Sequence, residues 1–444
     1  MAILVALHAL ALSGCVRYRP QPVEDAAFWE RVQIRERAGL RVSAAALGPA
    51  ESRETFGVDL ARHGIQPVWL QIENIGNRRW VFLQQSVDPR YFAPREAAYR
   101  SHFSTTKRFL SFGLLGIVLW PAVILAPVQA VTAVNANGRM DDLFVEREIG
   151  NAVIHPGDKE SGFVFTHLDG GTKQVDVTLL HPDGPETFRM FVKAPGLRAD
   201  HADLDPAALY PSTPVADYED WSDLRAAITA LPCCTTNAKA ARNGDPLNLV
   251  VVATLDGLIE GFTAAVWDET EVLDLAAGWK TFRAFLFSSE YRYSPVSNLY
   301  LFGRKQDIAF QRARETIHER NHLRLWLAPF SFRGTPVWVG QVSRDIGVKF
   351  TLKTWNLTTH AIDDDIDDSR ENVFGDLIGT GRLRSVAYLP GVGASDPKNP
   401  PTNLMGDTYR TDGQRLVVML EDDGTERIDF EWLDQSDEDT HETR

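Results

Sequence analysis

Apolar and polar residues alternate with the two-residue period of half-buried strands in Val68-Trp69-Leu70-Gln71-Ile72-Glu73-Asn74 and Trp80-Val81-Phe82-Leu83, around a turn at Asn74-Ile75-Gly76-Asn77. Further runs of this kind cover 162–165, 174–180 and 188–192, punctuated by His155-Pro156-Gly157-Asp158 and His181-Pro182-Asp183-Gly184. Short strands at near-regular spacing predict an immunoglobulin-like β-sandwich over residues 28–197. Its histidines, His155, His167 and His181, fall at turns and strand ends.

One stretch breaks the pattern. Between Lys107-Arg108 and Arg139 no residue is charged, giving an apolar insertion at 109–138. About twenty apolar residues cross a bilayer, so 109–134 is long enough for a transmembrane span. Pro121 and Pro127 divide it into pieces too short to cross alone. A single crossing would also separate the two halves of the sandwich. A helical hairpin that dips into the membrane or packs on a partner keeps the sandwich whole. A true span and a buried core helix are the other readings.

Residues 198–243 are rich in Ala, Asp, Pro and Thr and read as a linker with one short helix at 221–228. The pattern then changes. Leu247-Asn248-Leu249-Val250-Val251-Val252-Ala253 is nearly all apolar, as a strand covered on both faces should be. Thr254 is placed to cap a helix carrying Leu255, Leu258, Ile259, Phe262 and Val266. Residues 299–310 predict strand, turn and strand. His322-Leu323-Arg324-Leu325-Trp326-Leu327 alternates strictly, which puts His322, Arg324 and Trp326 on one face. Another strand starts at Val337, a turn follows near Asp345-Ile346-Gly347, and a helix near 369–378. Residues 393–444 read as a tail with a hairpin formed by 416–421 and 427–432. Together these predict an α+β multidomain chain.

Composition narrows the function. Of 444 residues, 46 are basic and 60 acidic, a formal charge of −14. That balance and the lack of a basic stripe argue against nucleic acid as a partner. Residues 1–15, MAILVALHALALSGC, combine an apolar run with Leu12-Ser13-Gly14-Cys15, which resembles a bacterial lipobox, although no basic residue precedes the run. The resemblance implies a signal peptide at 1–15, acylation of Cys15, and a lipid anchor on the periplasmic side, with the outer membrane favoured. An inner-membrane protein with one span at 109–134 is the alternative. The other cysteines, Cys233 and Cys234, are adjacent; a vicinal disulfide competes with two plain cysteines, the latter preferred.

Several separated motifs in the second half resemble the LssY-type C-terminal domain: Asp245-Pro246-Leu247-Asn248-Leu249-Val250-Val251, Asn298-Leu299-Tyr300-Leu301-Phe302-Gly303-Arg304-Lys305-Gln306-Asp307, His322-Leu323-Arg324-Leu325-Trp326 and Thr359-His360-Ala361-Ile362-Asp363-Asp364-Asp365. The resemblance spans about 244–392, extending toward 432. It implies association with the envelope or membrane, not phosphatase chemistry, because no polytopic segment or phosphatase acid signature accompanies it.

His318-Glu319-Arg320-Asn321-His322 matches H-E-x-x-H, a zinc pattern that requires a helix, whereas His322 opens a strand. No metal or other cofactor is expected. The better candidate is a polar set of Arg304, His322, Arg324, Trp326, His360, Asp363 and Asp365, in which arginine and histidine beside carboxylates suit an anionic ligand. The competing structural reading pairs Arg324 with an aspartate of 363–368. The expectation is an envelope lipoprotein anchored through Cys15 and 109–134, whose LssY-type domain binds an anionic ligand or a membrane-protein partner. The alternative is a periplasmic hydrolase acting on a phosphate- or lipid-bearing substrate, with His322, His360 and Asp363 as the catalytic candidates.

Overall fold

The computed structural model describes residues 18–103, 125–169, 171–193, 204, 209–210, 215–269, 298–313, 319–350, 358–422 and 430–433. The lipobox with Cys15, the first part of the insertion at 104–124, and His318 lie outside the described residues. The chain is α+β and divides into two compact units, Met1–Asp169 with Lys173–Gly196, and Gly170–Thr172 with Leu197–Arg444.

The strands of the first unit are β1 (Gln33–Arg37), β2 (Leu40–Ala46), β3 (Ile65–Asn74), β4 (Trp80–Phe82), β5 (Ala152–Ile154), β6 (Lys159–His167), β7 (Thr172–Leu180) and β8 (Glu186–Lys193). They form two four-stranded sheets, β1-β2-β3-β6 and β5-β4-β7-β8. Alternate residues of both sheets, including Val42, Leu70, Phe82, Val164, Val177 and Met190, close one core between them. The turn expected at 74–77 therefore does not join a hairpin, because β3 and β4 lie in different sheets. Buried Asn74 organises the crossing. Its Nδ2 donates to the carbonyls of Arg78 (2.6 Å) and Ile154 (3.2 Å), and its Oδ1 accepts from Gly76 N–H (3.2 Å).

The first sheet is covered on its other face too. Helices α1 (Pro49–Phe56), α2 (Pro94–Arg100) and α3 (Leu125–Glu146) contribute Phe56, Ala97, Ala98, Ala136, Met140 and Phe144 to a second core with Trp69, Phe163 and Phe165. The insertion expected to end at 138 thus continues as helix to Glu146, and its far end is part of the fold. Phe103 N–H donates to Asn137 Oδ1 (2.9 Å), Asn137 Nδ2 donates to Phe103 O (3.2 Å), and His102 Nε2 lies 2.8 Å from Asp141 Oδ1. The chain enters and leaves the stretch 104–136 at one place. Among the described residues no helix is long and apolar enough to cross a membrane.

The second unit contains β9 (Ala216–Tyr218), β10 (Cys234–Thr236), β11 (Asn243–Pro246), β12 (Leu249–Val252), β13 (Asp268–Glu269), β14 (Tyr300–Leu301), β15 (Arg304–Lys305), β16 (Ile308–Ala313), β17 (Glu319–Phe332), β18 (Thr335–Phe350), β19 (Thr358–Ile362), β20 (Leu383–Pro390), β21 (Gln414–Leu420) and β22 (Glu431–Trp432). Ten of them make one mixed sheet along β13-β16-β17-β18-β12-β21-β20-β22, with β19 on β18 and β9 on β17. Strand β12 is central, and its burial on both faces explains its unbroken apolar run. Leu249 and Val251 face helices α5 (Leu255–Ala264) and α6 (Ile366–Ile378). Val250 and Val252 face helix α4 (Trp221–Thr229) and the small sheet β11-β10-β14-β15.

Three boundaries differ from expectation. Residues 216–243 are not a free linker: β9 pairs with β17, and Leu224, Ile228 and Leu231 enter the core. Residues 414–420 are not a tail hairpin, since β21 runs parallel to β12 and antiparallel to β20, and β22 pairs with β20 instead. No turn interrupts 345–347; β18 continues, and the irregularity is absorbed as a bulge in its pairing with β19.

Candidate functional site

Strand alternation places Trp326 on the face opposite Leu323, Leu325 and Leu327, as the sequence predicts. In register, Gln311 pairs with His322, His322 with Ser343, and Arg324 with Gln341. One face of β16, β17 and β18 therefore changes along its length from apolar (Trp326, Val339) to polar (Gln311, His322, Arg324, Gln341, Ser343, Asp345). The polar half is not at the surface. Gln311 and Gln341 are 0% exposed, and Ser343, Arg324 and Asp345 are no more than 6% exposed. Burying so many polar groups is costly unless each is hydrogen-bonded.

Most of them are. His322 Nε2 lies 2.8 Å from Asp345 Oδ2, and Arg324 Nη1 donates to Gln341 Oε1 at 2.7 Å. Asp245 of β11 supplies a second carboxylate, whose Oδ1 accepts from Asn403 Nδ2 at 3.0 Å. Burial pushes the Asp245 carboxyl above the usual range, against the pull of Arg324 and Asn403. Burial lowers the Arg324 guanidinium to about 10, opposed by the charges of Asp245 and Asp345. One group stands out. Gln341 Nε2 is buried without a hydrogen-bond partner. Flipping the amide does not relieve it, because a guanidinium only donates and so the amide oxygen must face Arg324.

The rest of the predicted set is scattered. Arg304 forms a two-pronged ion pair with Asp307 (both contacts 2.8 Å) and donates to Tyr210 Oη (2.8 Å) and Leu327 O (2.7 Å). Asp307 also accepts from Leu327 N–H (2.7 Å), next to the irregular stretch of β17 between Leu327 and Ser331. This arginine locks a strand and is not grouped with Arg324. Trp326 is 0% exposed, with its Nε1 3.3 Å from Arg304 O. Asp365 caps α6 through Asp368 N–H (3.3 Å), and Asp363 accepts from Arg344 (3.4 Å). Arg324 therefore does not pair with the 363–368 run; its carboxylate neighbours are Asp245 and Asp345. His360 stands opposite Val348 in the β18–β19 ladder, and its side chain lies outside the described residues. Glu319–Phe332 is strand, so the helix that H-E-x-x-H requires is missing at Glu319 and His322. Among the described residues no cluster could hold a metal.

Sequence reasoning missed Gln341, Asp345, Asp245 and Asn403. The first two were signalled by the even spacing Val339, Gln341, Ser343, Asp345 on one strand, a polar continuation of an apolar face. Asp245 opens the first of the LssY-like motifs, but nothing local ties it to Arg324, and Asn403 comes from a distant segment without a signal of its own.

Cys233 and Cys234 are joined as a vicinal disulfide, in place of the unlinked pair preferred from sequence. Leu247 N–H bonds Cys233 O at 2.9 Å, and Cys234 stands opposite Pro246 in the β10–β11 ladder, so the backbone holds both sulfurs together. Cys234 Sγ lies 4.0 Å from the Tyr409 hydroxyl. Burial, then the Asp245 charge, raises the pKa of that phenol.

No curated protein and no solved structure matches the chain. Residues 226–414 match the family described as LssY C-terminus, starting upstream of the first motif so as to take in the end of α4 and the cysteine pair, and ending between 392 and 432. The second unit carries an LssY C-terminal domain.

Proposed function

We propose that the chain is an envelope protein, anchored at the membrane through acylated Cys15 and the apolar segment 109–134, whose LssY domain is a binding module for a small anionic ligand. The observation that carries the ligand is Gln341, an amide donor 0% exposed and without a partner beside the buried Arg324 guanidinium. A ligand oxygen would satisfy it. Charge balance is compatible with an anion. Burial raises the Asp245 carboxyl, so acidification removes its charge and leaves Asp345 to balance Arg324. The clamp rests on Arg324 and Gln341, because Arg304 is already held by Asp307.

The test is calorimetric titration with inorganic phosphate and with acetate, on the wild type and Gln341→Glu. The variant keeps an acceptor for Arg324 and replaces the orphaned donor. Saturable binding that tightens on acidification and is lost in Gln341→Glu is the expected result; equal heats in the two proteins would refute the clamp.

An immunoglobulin-like topology for the first unit belongs to the same reading. The order β2-β3-β6 facing β8-β7-β4-β5 corresponds to strands A-B-E facing G-F-C-C′ of that fold, with the insertion between C and C′. Closure of the cysteine pair also supports an oxidising compartment.

One observation favours the hydrolase reading: the 2.8 Å contact between His322 and Asp345 is the pairing that orients a general base.

A further inference from the structure

A disulfide normally stabilises a protein by closing a loop in the unfolded chain. The bridge between Cys233 and Cys234 closes none, so that function is unavailable to it. Its two sulfurs differ in setting. Cys234 is buried at 6% exposure, with Sγ against the Tyr409 hydroxyl, whereas Cys233 is only half-buried and its Sγ lies 3.8 Å from the exposed Asn243 amide. One sulfur can be approached from outside, and the other faces a hydroxyl donor.

We propose that Cys233–Cys234 is a thiol–disulfide exchange site for dithiol reductants, attacked at Cys233. This does not depend on the anion site proposed above. The thiolate of the dithiol bonds to Cys233 Sγ, the bridge breaks, and its electron pair leaves with Cys234 Sγ. The Tyr409 hydroxyl is placed to hydrogen-bond the Cys234 thiolate, which then takes a proton from solvent. The second thiol of the reductant attacks the mixed disulfide and releases Cys233 as a thiol. The products are two protein thiols and one oxidised reductant. Cys234 is laddered to Pro246, and Thr235 Oγ1 donates to the main-chain carbonyl of Asp245 (3.0 Å), so the strand that bears the bridge is bonded directly to the strand that carries Asp245.

The experiment uses the full chain carrying Cys15→Ser, so that only these two cysteines remain. Folded protein is treated with dithiothreitol, alkylated with maleimide and weighed. Two labels without urea are expected; a bridge that yields its labels only after unfolding overturns the proposal. Oxidised glutathione is then offered to Cys234→Ser, which keeps Cys233, and to Cys233→Ser, which keeps Cys234. At least tenfold faster adduct formation in the first supports attack at Cys233, and equal rates refute it.

Discussion

At the scale of single residues, Arg415 of the second unit is a buried cation held by main-chain carbonyls. It is 0% exposed, and its guanidinium donates to the carbonyls of Leu247 (2.8 Å), Ile228 (2.6 Å), Leu231 (3.1 Å), Gly391 (3.1 Å) and Pro232. Burial lowers its pKa to about 10. Arg415→Met removes this donor from all five carbonyls, of which Ile228 O keeps a backbone donor in Leu231 N–H (3.2 Å), so the expected loss is about 3–5 kcal/mol in urea unfolding. Arg384→Ala, which removes an exposed ion pair to Glu421 in the same unit, serves as a control with no measurable change. Asp245 makes the opposite prediction. Its native pKa lies above the unfolded value, so the native state holds more protons between the two. Wild-type stability therefore falls as pH rises through that window, starting from the unfolded value. Asp245→Asn keeps an acceptor for Asn403 and has no such window. Its melting temperature should exceed that of the wild type at pH 7, with the gap closing toward pH 3. A gap that widens on acidification would show that the Arg324 attraction outweighs desolvation.

At the scale of elements, helix α5 illustrates what local pattern can reveal. Thr254 accepts from Gly257 N–H at 3.0 Å, the cap expected from its place before an apolar periodic run, and its hydroxyl also donates to Asp422 Oδ1 (2.6 Å). Thr254→Ala should cost about 1 kcal/mol by chemical denaturation, while Thr254→Ser should recover most of it. The alternation of His322 through Leu327 was legible for the same reason: facing is set by a period within one segment. Strand partners were not, because pairing is decided by distant sequence. Residues 416–421 and 427–432 read as a hairpin because they are neighbours, yet β21 gains more by lying between β12 and β20, where both its faces are covered. The candidate site failed in the same way. The alternation of one strand groups His322 with Arg324, but the nearby acidic run is not the partner of Arg324. That run instead caps α6 and holds Arg344, Arg370 and Arg410. Asp245 reaches Arg324 from about eighty residues away and could not be read locally.

At the scale of the whole molecule, the apolar insertion constrains how the chain meets a membrane. A single crossing between 109 and 134 would hold Phe103 and Asn137 apart by about the thickness of a hydrocarbon core, roughly 30 Å. They are hydrogen-bonded to each other, and His102 is bound to Asp141 one turn further along α3. Breaking those contacts would also pull Ala136, Met140 and Phe144 out of the core that covers the first sheet. Insertion as a span therefore competes with folding of the first unit, whereas a segment that leaves and returns on one side does not. Cysteines introduced as Arg95→Cys on α2 and Arg139→Cys on α3 report the difference. Both should react with a membrane-impermeant maleimide from the same side in cells, and Asn137→Leu should weaken the unit without changing that sidedness. Protection of one position and labelling of the other would mean that the bilayer wins over the Phe103–Asn137 clamp, and with it the lipid-anchored topology proposed for the chain would fail.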